Sequence, residues 1–449
     1  MPRPLSPAGN SGIVTVSTQQ PRLSPMRILF ISTTFPDAAA PARGTYNSAL
    51  VRALQREHEV AVVSPRFFTE VYSRRGRKTF SAPAEMQRLN IPVDYPTSWY
   101  TPRLLQARYG DQMWWSVRDC VQRRLEAFRP DAVLSYWAHP DGDVGLRAAA
   151  LAGVPSAVIV GGTDVLILPK LPHRGERVRQ VLQKSDAVIT VSEGLRKATC
   201  ELQVPEGRVH TIYQGVEEHL FESTRTRHAA RKQLGLSDEF AHLLWVGRIV
   251  DIKALPVLLT AATRLRDRGV KFKLHLIGDG PARAGLKLQA SRLGLDSQVY
   301  FHGAIGHDQV PDWYRAADLT MLCSDSEGLP NVLRESLACG TPFVSTNVGS
   351  IHEIAQPEAS LLTPPRDPDA FATAIESMLT PEAKQAAATY RPRGWADCAR
   401  DTARLLQSLR DARAEQAKTA PLPRRPLQTP ADYETATSVK TASAGEVWT

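Results

Sequence analysis

Nine short apolar runs recur along this chain, at residues 26–31, 60–63, 132–134, 157–160, 187–191, 242–246, 272–277, 319–322 and 342–345. Gly, Pro, Asp or Ser bounds the runs, and stretches with helix-like spacing follow them. Within a run the hydrophobicity is continuous rather than alternating, as in Ala-Val-Ile-Thr-Val at 187–191. A strand with one wet face alternates apolar and polar side chains, whereas a strand covered on both faces is apolar throughout. The pattern therefore predicts parallel sheets with helical crossovers, an α/β fold.

The series pauses between Gln214 and about Ala241, where Arg, His, Glu and Thr cluster in residues 217–232, and a fresh series starts at His242. This predicts an interdomain linker and two Rossmann-like domains, 26–220 and 221–390, with the active site in the cleft between them. A C-terminal helix region follows at 391–410. Residues 1–25 are rich in Ser, Pro and Gln and read as a disordered extension, and Met26, which opens the first strand-like run, is an alternative start of translation. From Asp411 onward Ala, Thr, Pro and Lys predominate, so 411–449 reads as a disordered tail.

Of the 449 residues, 43% are hydrophobic and 22% charged, a globular balance that rules out wholesale disorder. Cys120, Cys200, Cys323, Cys339 and Cys398 lie far apart with no C-x-x-C pair, which indicates neither a zinc site nor a disulfide framework and fits a reducing cytoplasm. A net charge of +9 favours phosphates, nucleic acid or an anionic membrane surface as partners without choosing among them. No apolar stretch approaches the ~20 residues needed to span a bilayer, and no signal peptide is read, so the expected location is cytoplasmic.

The most informative segment is Ser-Glu-Gly-Leu-Pro-Asn-Val-Leu-Arg-Glu at 326–335. It follows the 319–322 run, so its Gly-Pro loop is expected at a strand's carboxyl end, where open α/β sheets bind ligands. The helix predicted from about Pro330 to Gly340 offers unpaired N–H groups to an anion such as a diphosphate. Glu327 and Glu335 can each accept a pair of sugar hydroxyls, although either alone reads more often as a solvated helix charge. Arg248 and Lys253, just after the 242–246 run, can together neutralise a diphosphate leaving group, although either alone is more often a surface charge. Gly-Asp-Gly at 278–280 permits close backbone approach to a nucleotide, or is only a turn.

Together these segments resemble the retaining, family-four glycosyltransferases of the GT-B fold. The marks are Gly247-Arg248 with Lys253, Gly278-Asp279-Gly280, Phe301-His302-Gly303, and the Glu-x7-Glu pair Glu327/Glu335, in that order. The resemblance spans about residues 26–407. It implies that Arg248 and Lys253 hold the donor diphosphate, that Glu335 grips the ribose hydroxyls, and that Glu327 contacts the donor sugar. It further implies that Gly328 and Leu329 offer backbone N–H groups, and that the segments around Gly278 and Gly303 line the base. It implies a nucleotide diphosphate sugar as donor substrate, with UDP favoured as the family's commonest carrier, and a glycan or lipid-linked acceptor in polysaccharide or cell-envelope synthesis. No Asp-x-Asp motif occurs in the catalytic region, so neither metal nor cofactor is expected.

The N-terminal half matches more loosely. Thr34-Phe35-Pro36 with Arg43-Gly44-Thr45 resembles the family's first glycine-bearing loop, with Arg43 where a second glycine is usual and Gly44 as the residue approaching the phosphates. Segments 137–142 and 161–165 resemble two further cleft-facing loops. Many members carry His or Arg where this chain has Gly161; His139 and Asp164 are the candidates to compensate, and the role of each stays open, as does a packed structural role for His139.

The basic, aromatic segment 66–80, which includes Arg74, Arg75, Arg77 and Lys78, suits peripheral contact with an anionic bilayer. A solvated loop is an equal reading, and nucleic acid is the third. For the whole chain, the alternatives to a transferase are a nucleotide-sugar epimerase of the same fold and a degenerate sugar-nucleotide-binding protein. A dehydrogenase is weaker, because Ser-Thr-Thr-Phe-Pro-Asp and not Gly-x-Gly-x-x-Gly follows the first strand.

Overall fold

The computed structural model of the chain describes residues 24–419 apart from 42, 74, 75, 218–224 and 307. Most of the expected N-terminal extension, the tail beyond 419, and Arg74 and Arg75 of the basic segment lie outside the described residues.

The N-terminal domain is built on seven strands: β1 (Arg27–Ile31), β2 (Glu59–Val63), β3 (Val93–Asp94), β4 (Ala132–Tyr136), β5 (Ser156–Val160), β6 (Ala187–Thr190) and β7 (Val209–Thr211). All pair in parallel, in the order β7-β6-β5-β4-β1-β2-β3. The second domain has six: β8 (Ala241–Val246), β9 (Phe272–Ile277), β10 (Val299–Gly303), β11 (Leu319–Leu322), β12 (Phe343–Thr346) and β13 (Ser360–Thr363). They are also parallel, in the order β10-β9-β8-β11-β12-β13.

Two-sided burial explains the continuous apolar runs. In β1, Leu29 and Ile31 face Met113, Val117 and Val121 of helix Tyr109–Phe128. Ile28 and Phe30 face the other layer, with Leu50 and Leu54 of helix Thr45–Gln55. The strands of these two sheets that the runs miss are the four edges: β10 alternates buried and exposed residues, β13 exposes its middle, β3 is half-buried and β7 is buried only at its first residue. One covered face does not produce a continuous run.

Two expectations need correction. The charged stretch placed in the linker continues as helix Arg227–Leu234, capped by Thr226 and ended by Gly235, and it docks on the second domain. Its Arg231 is buried, bonding Ala316 O at 2.9 Å and Asp318 at 2.6 Å, so charge there marks a buried ion-pair cluster and not solvent. The C-terminal helix, expected over 391–410 with a tail from 411, runs unbroken from Trp395 to Thr419. Residues 411–419 are exposed, yet their Ala, Glu, Gln, Lys and Arg content favours continuing the helix.

That helix returns to the first domain, where Trp395, Cys398, Ala399, Ala403 and Leu406 join the core around Leu50 and Leu54. The chain thus passes between domains twice. The two passages run side by side, Val216 N bonding Arg393 O at 2.9 Å, and a Cβ on Gly215 would fall 2.2 Å from Trp395 N.

Candidate donor and acceptor site

In each sheet the strand order reverses once, between β1 and β4 and between β8 and β11. Loops leave in opposite directions at such a point and open a crevice at the carboxyl ends. In the second domain these loops carry Arg248 and Lys253 after β8, and Glu327 to Pro330 after β11.

The structure brings Lys253 and Glu327 together. Lys253 closes a 3-10 turn, Asp251–Lys253, and its Nζ donates to Glu327 Oε1 at 2.5 Å; Ser324 Oγ donates to the same oxygen at 2.6 Å. Glu327 is 10% exposed, so its charge needs these partners. Arg248 is exposed and, among the described residues, has neither an ion pair nor a hydrogen-bonding side-chain partner. Helix Asn331–Ala338 starts after Pro330 with no side-chain cap, which leaves its first N–H groups available to an anion. Glu335, half-buried on that helix, accepts from the hydroxyl of the buried Tyr314 at 3.1 Å. Burial, and then Glu335, push the Tyr314 hydroxyl pKa well up, so it remains a donor. Leu329 packs its side chain into the core, leaving only its backbone for a ligand.

Gly278 and Gly303 are neighbours, Gly278 N donating to Gly303 O at 2.7 Å. A Cβ on Gly278, at φ 134°, would sit 1.8 Å from Gly247 O, so only glycine lets the loops after β8 and β9 run together.

In the first domain Gly44 begins helix Thr45–Gln55 at φ 59°, where a Cβ would strike Thr34 O at 2.3 Å. Arg43, in place of the usual second glycine, pairs with Glu70 at 2.6 Å. His139 is fully buried, its Nε2 accepting from Gly110 N at 3.1 Å; burial, then Arg174 and Arg177, lower its pKa to about 3. Asp164, also fully buried, accepts from the amides of Gly161 (3.1 Å), Gly162 (2.9 Å) and Ala138 (3.3 Å), and burial raises its pKa to about 6. Both side chains are buried beneath the loops they support.

Gly161 has a structural complement. A Cβ there would lie 2.2 Å from the hydroxyl of Tyr136, whose ring packs against Tyr46 with centroids 5.0 Å apart and fills the space where a His or Arg side chain would emerge. Opposite, a Cβ on Gly328 would lie 2.7 Å from Gly161 O, so the two domains meet here backbone to backbone.

Asp141 lies within the 137–142 segment, where the sequence assigns it no role. It is fully buried and accepts from Thr33 N (3.0 Å) and Thr33 Oγ1 (2.9 Å) through Oδ2, while Oδ1 has no partner. Burial pushes its pKa up to about 7. Its only sequence signal is its place at the start of helix Asp141–Ala152. Among the described residues, no three His, Cys, Asp or Glu side chains gather as a metal site would require, and no helix is long and apolar enough to cross a membrane.

Residues 44–220 match the profile of Glycosyltransferase Family 4 and residues 241–381 that of Glycosyl transferases group 1. A Bacillus subtilis protein named as a teichuronic acid biosynthesis glycosyltransferase, TuaC, is 28% identical over 362 residues, covering 78% of this chain and 88% of its own. D-inositol 3-phosphate glycosyltransferase 2 of Catenulispora acidiphila is 32% identical over 310 residues, 62% of this chain and 71% of that one. Among solved structures, Anabaena HepE in complex with UDP superposes with a TM-score of 0.61 at 20% identity, over 88% of this chain and 100% of that one. Sucrose-phosphate synthase from Thermosynechococcus elongatus does so with a TM-score of 0.65 at 20% identity, over 88% and 97%. These two likenesses identify the fold as GT-B.

Proposed function

Because the chain belongs to the group 1, family-four glycosyltransferases, we propose that it moves a sugar from a nucleotide diphosphate donor, UDP favoured, to a glycan or lipid-linked acceptor, with retention at the anomeric carbon. Polysaccharide or cell-envelope synthesis is the setting. The observation that carries this reading is the Lys253–Glu327–Ser324 cluster beside the uncapped helix Asn331–Ala338.

In this mechanism the bond from the sugar's anomeric carbon to the diphosphate oxygen breaks while the acceptor oxygen attacks from the same face. Negative charge growing on the diphosphate meets Lys253, Arg248 and the free N–H groups of the helix. The acceptor's proton passes to the departing phosphate oxygen. Lys253 has three donors, so it can keep Glu327 while binding phosphate. Glu327 orients the sugar through its hydroxyls and Glu335 the ribose, with Gly328 and Leu329 contributing amides and Gly278 and Gly303 bordering the base. The two cations supply the charge a metal otherwise brings, so turnover should survive a chelator.

Calorimetric titration with UDP, GDP and ADP, followed by hydrolysis of the matching sugar nucleotide, tests the reading. Binding with slow sugar release supports it. Binding without release favours a sugar-nucleotide-binding protein, the reading to which Tyr136 in the Gly161 side-chain space lends weight.

The partner on the acceptor side is an anionic membrane surface, contacted peripherally. Trp99 (52% exposed), Trp115 (65%) and Leu104 (67%) stand on the first domain near the exposed Lys78, Arg103 and Arg108. Trp99 is backed by Phe68, ring centroids 4.9 Å apart. Such rings insert among headgroups while Lys and Arg supply roughly 1 kcal/mol each near the surface. Binding to anionic vesicles should fall when Arg74, Arg75, Arg77 and Lys78 are neutralised and should weaken with salt; salt-independent binding would contradict an electrostatic contact.

A further inference from the structure

The domains also meet where the segment after β12 reaches helix Glu193–Glu201 of the first domain. Ser192 caps that helix, its Oγ accepting from Leu195 N at 3.2 Å. The preceding two amides are taken from the other domain: Glu353 Oε2 accepts from Glu193 N at 2.8 Å and Oε1 from Gly194 N at 2.7 Å. Tyr213 donates its hydroxyl to Glu353 Oε2 at 2.9 Å, and Ser350 Oγ donates to Ser192 Oγ at 2.8 Å. The approach is close enough that a Cβ on Gly194 would lie 2.4 Å from Ser350 Oγ. Burial alone would raise the Glu353 pKa, but the amides of Gly194 and Glu193, with the Tyr213 hydroxyl, hold it below the ordinary glutamate value. An ionised carboxylate on a helix N-terminus is the favourable sign for both partners.

The same segment bears directly on the donor loop. Ser350 N donates to Gly328 O at 3.1 Å, and a Cβ on Gly349 would lie 2.0 Å from Glu327 O. Movement at Glu353 is therefore passed through a few residues of packed backbone to Glu327 and to Gly328, which faces Gly161.

We propose that Glu353 is an interdomain latch: seated on the 193–201 helix, it holds the two domains closed and so sets the 327–328 loop against Gly161 and Gly162. Glu353 is a positioning residue. Its effect on turnover rests on the donor-site reading above, whereas its effect on closure does not.

Small-angle scattering of the full chain, without substrate, reads closure directly. Glu353→Gln keeps the shape but turns one acceptor into an NH2 group that faces amide donors, and it should enlarge the radius of gyration. Gly194→Ala attacks the contact from the opposite domain and should do the same. Gly194→Ala with Ser350→Gly removes the clashing hydroxyl and should restore the parent's radius, a compensation that general destabilisation would not produce. In turnover, Glu353→Gln should lose about tenfold in kcat if the closed form falls to about a tenth, while the affinity for UDP stays within about twofold. Identical scattering for the parent and both single variants overturns the latch. Opened scattering with unchanged kcat overturns its role in positioning. A parent that closes yet binds no UDP defeats the donor reading and leaves the latch standing.

Discussion

Lys253 holds its ammonium 2.5 Å from Glu327 Oε1, so a residue read as a phosphate ligand and one read as a sugar ligand share a hydrogen bond. Lys253→Ala should lower kcat on the order of a hundredfold, the scale of losing one donor to developing charge. Its melting temperature should fall less, since Ser324 still serves Glu327; a wild-type rate would remove Lys253 from the diphosphate site. Glu335→Ala should weaken UDP binding by about 1–3 kcal/mol through lost charge-assisted hydrogen bonds, and calorimetry showing unaltered affinity would exclude it. Asp141 offers a test in pH. Its folded pKa, about 7, lies above the ordinary 3.8, so the folded state binds the proton more tightly than the unfolded. Its contribution is therefore unpenalised below about pH 4 and is lost as pH rises toward 7. Asp141→Asn retains an acceptor for Thr33 and never ionises, so its melting temperature relative to the parent should rise between pH 5 and pH 8. A constant difference across that range would show that Asp141 is not buried as a neutral acid. Glu327, Lys253 and Glu335 were legible because their spacing forms a recognisable motif. Asp141 and Tyr136 were not, because what distinguishes them is burial and proximity to Thr33 and Gly161, residues distant in the chain.

At the scale of elements, every run of two-sided hydrophobicity became a strand, and the strands of the two main sheets without one were their edges. Helices joined by long-range packing were harder to bound. Helix Arg227–Leu234 is polar in composition and is held by Arg231 reaching Asp318 and Ala316, partners more than eighty residues away. Helix Trp395–Thr419 has two parts with different roles. Its first half buries Trp395, Cys398, Ala403 and Leu406 beneath the first domain, while residues 411–419 are exposed. Truncation after 410 should leave thermal unfolding nearly unchanged. Truncation before Trp395 should prevent stable folding of the first domain, since each large apolar side chain removed there forfeits roughly 1.5–3 kcal/mol. Equal melting temperatures for the two truncations would contradict that packing.

At the scale of the molecule, two parallel sheets face each other, with their switch points carrying Thr33 and Asp141 on one side and Lys253 and Glu327 on the other. The paired passages at Gly215 and Trp395 tie the halves together. Gly215→Ala would force a Cβ to within 2.2 Å of Trp395 N, so it should lower the unfolding midpoint by several degrees, and an unchanged midpoint would show that these passages yield freely. Hydrophobic continuity and glycine placement are local properties, so the chain by itself determined the fold class and the division into two halves, and the Glu-x7-Glu spacing singled out candidate donor-side residues. What only the tertiary structure decided is which distant groups meet: Tyr136 in the space beside Gly161, Gly328 against Gly161, and Glu353 on the 193–201 helix. Such contacts depend on the angle between the two sheets, and no local pattern encodes that angle. It is set by the sum of side chains and backbone packed across the cleft.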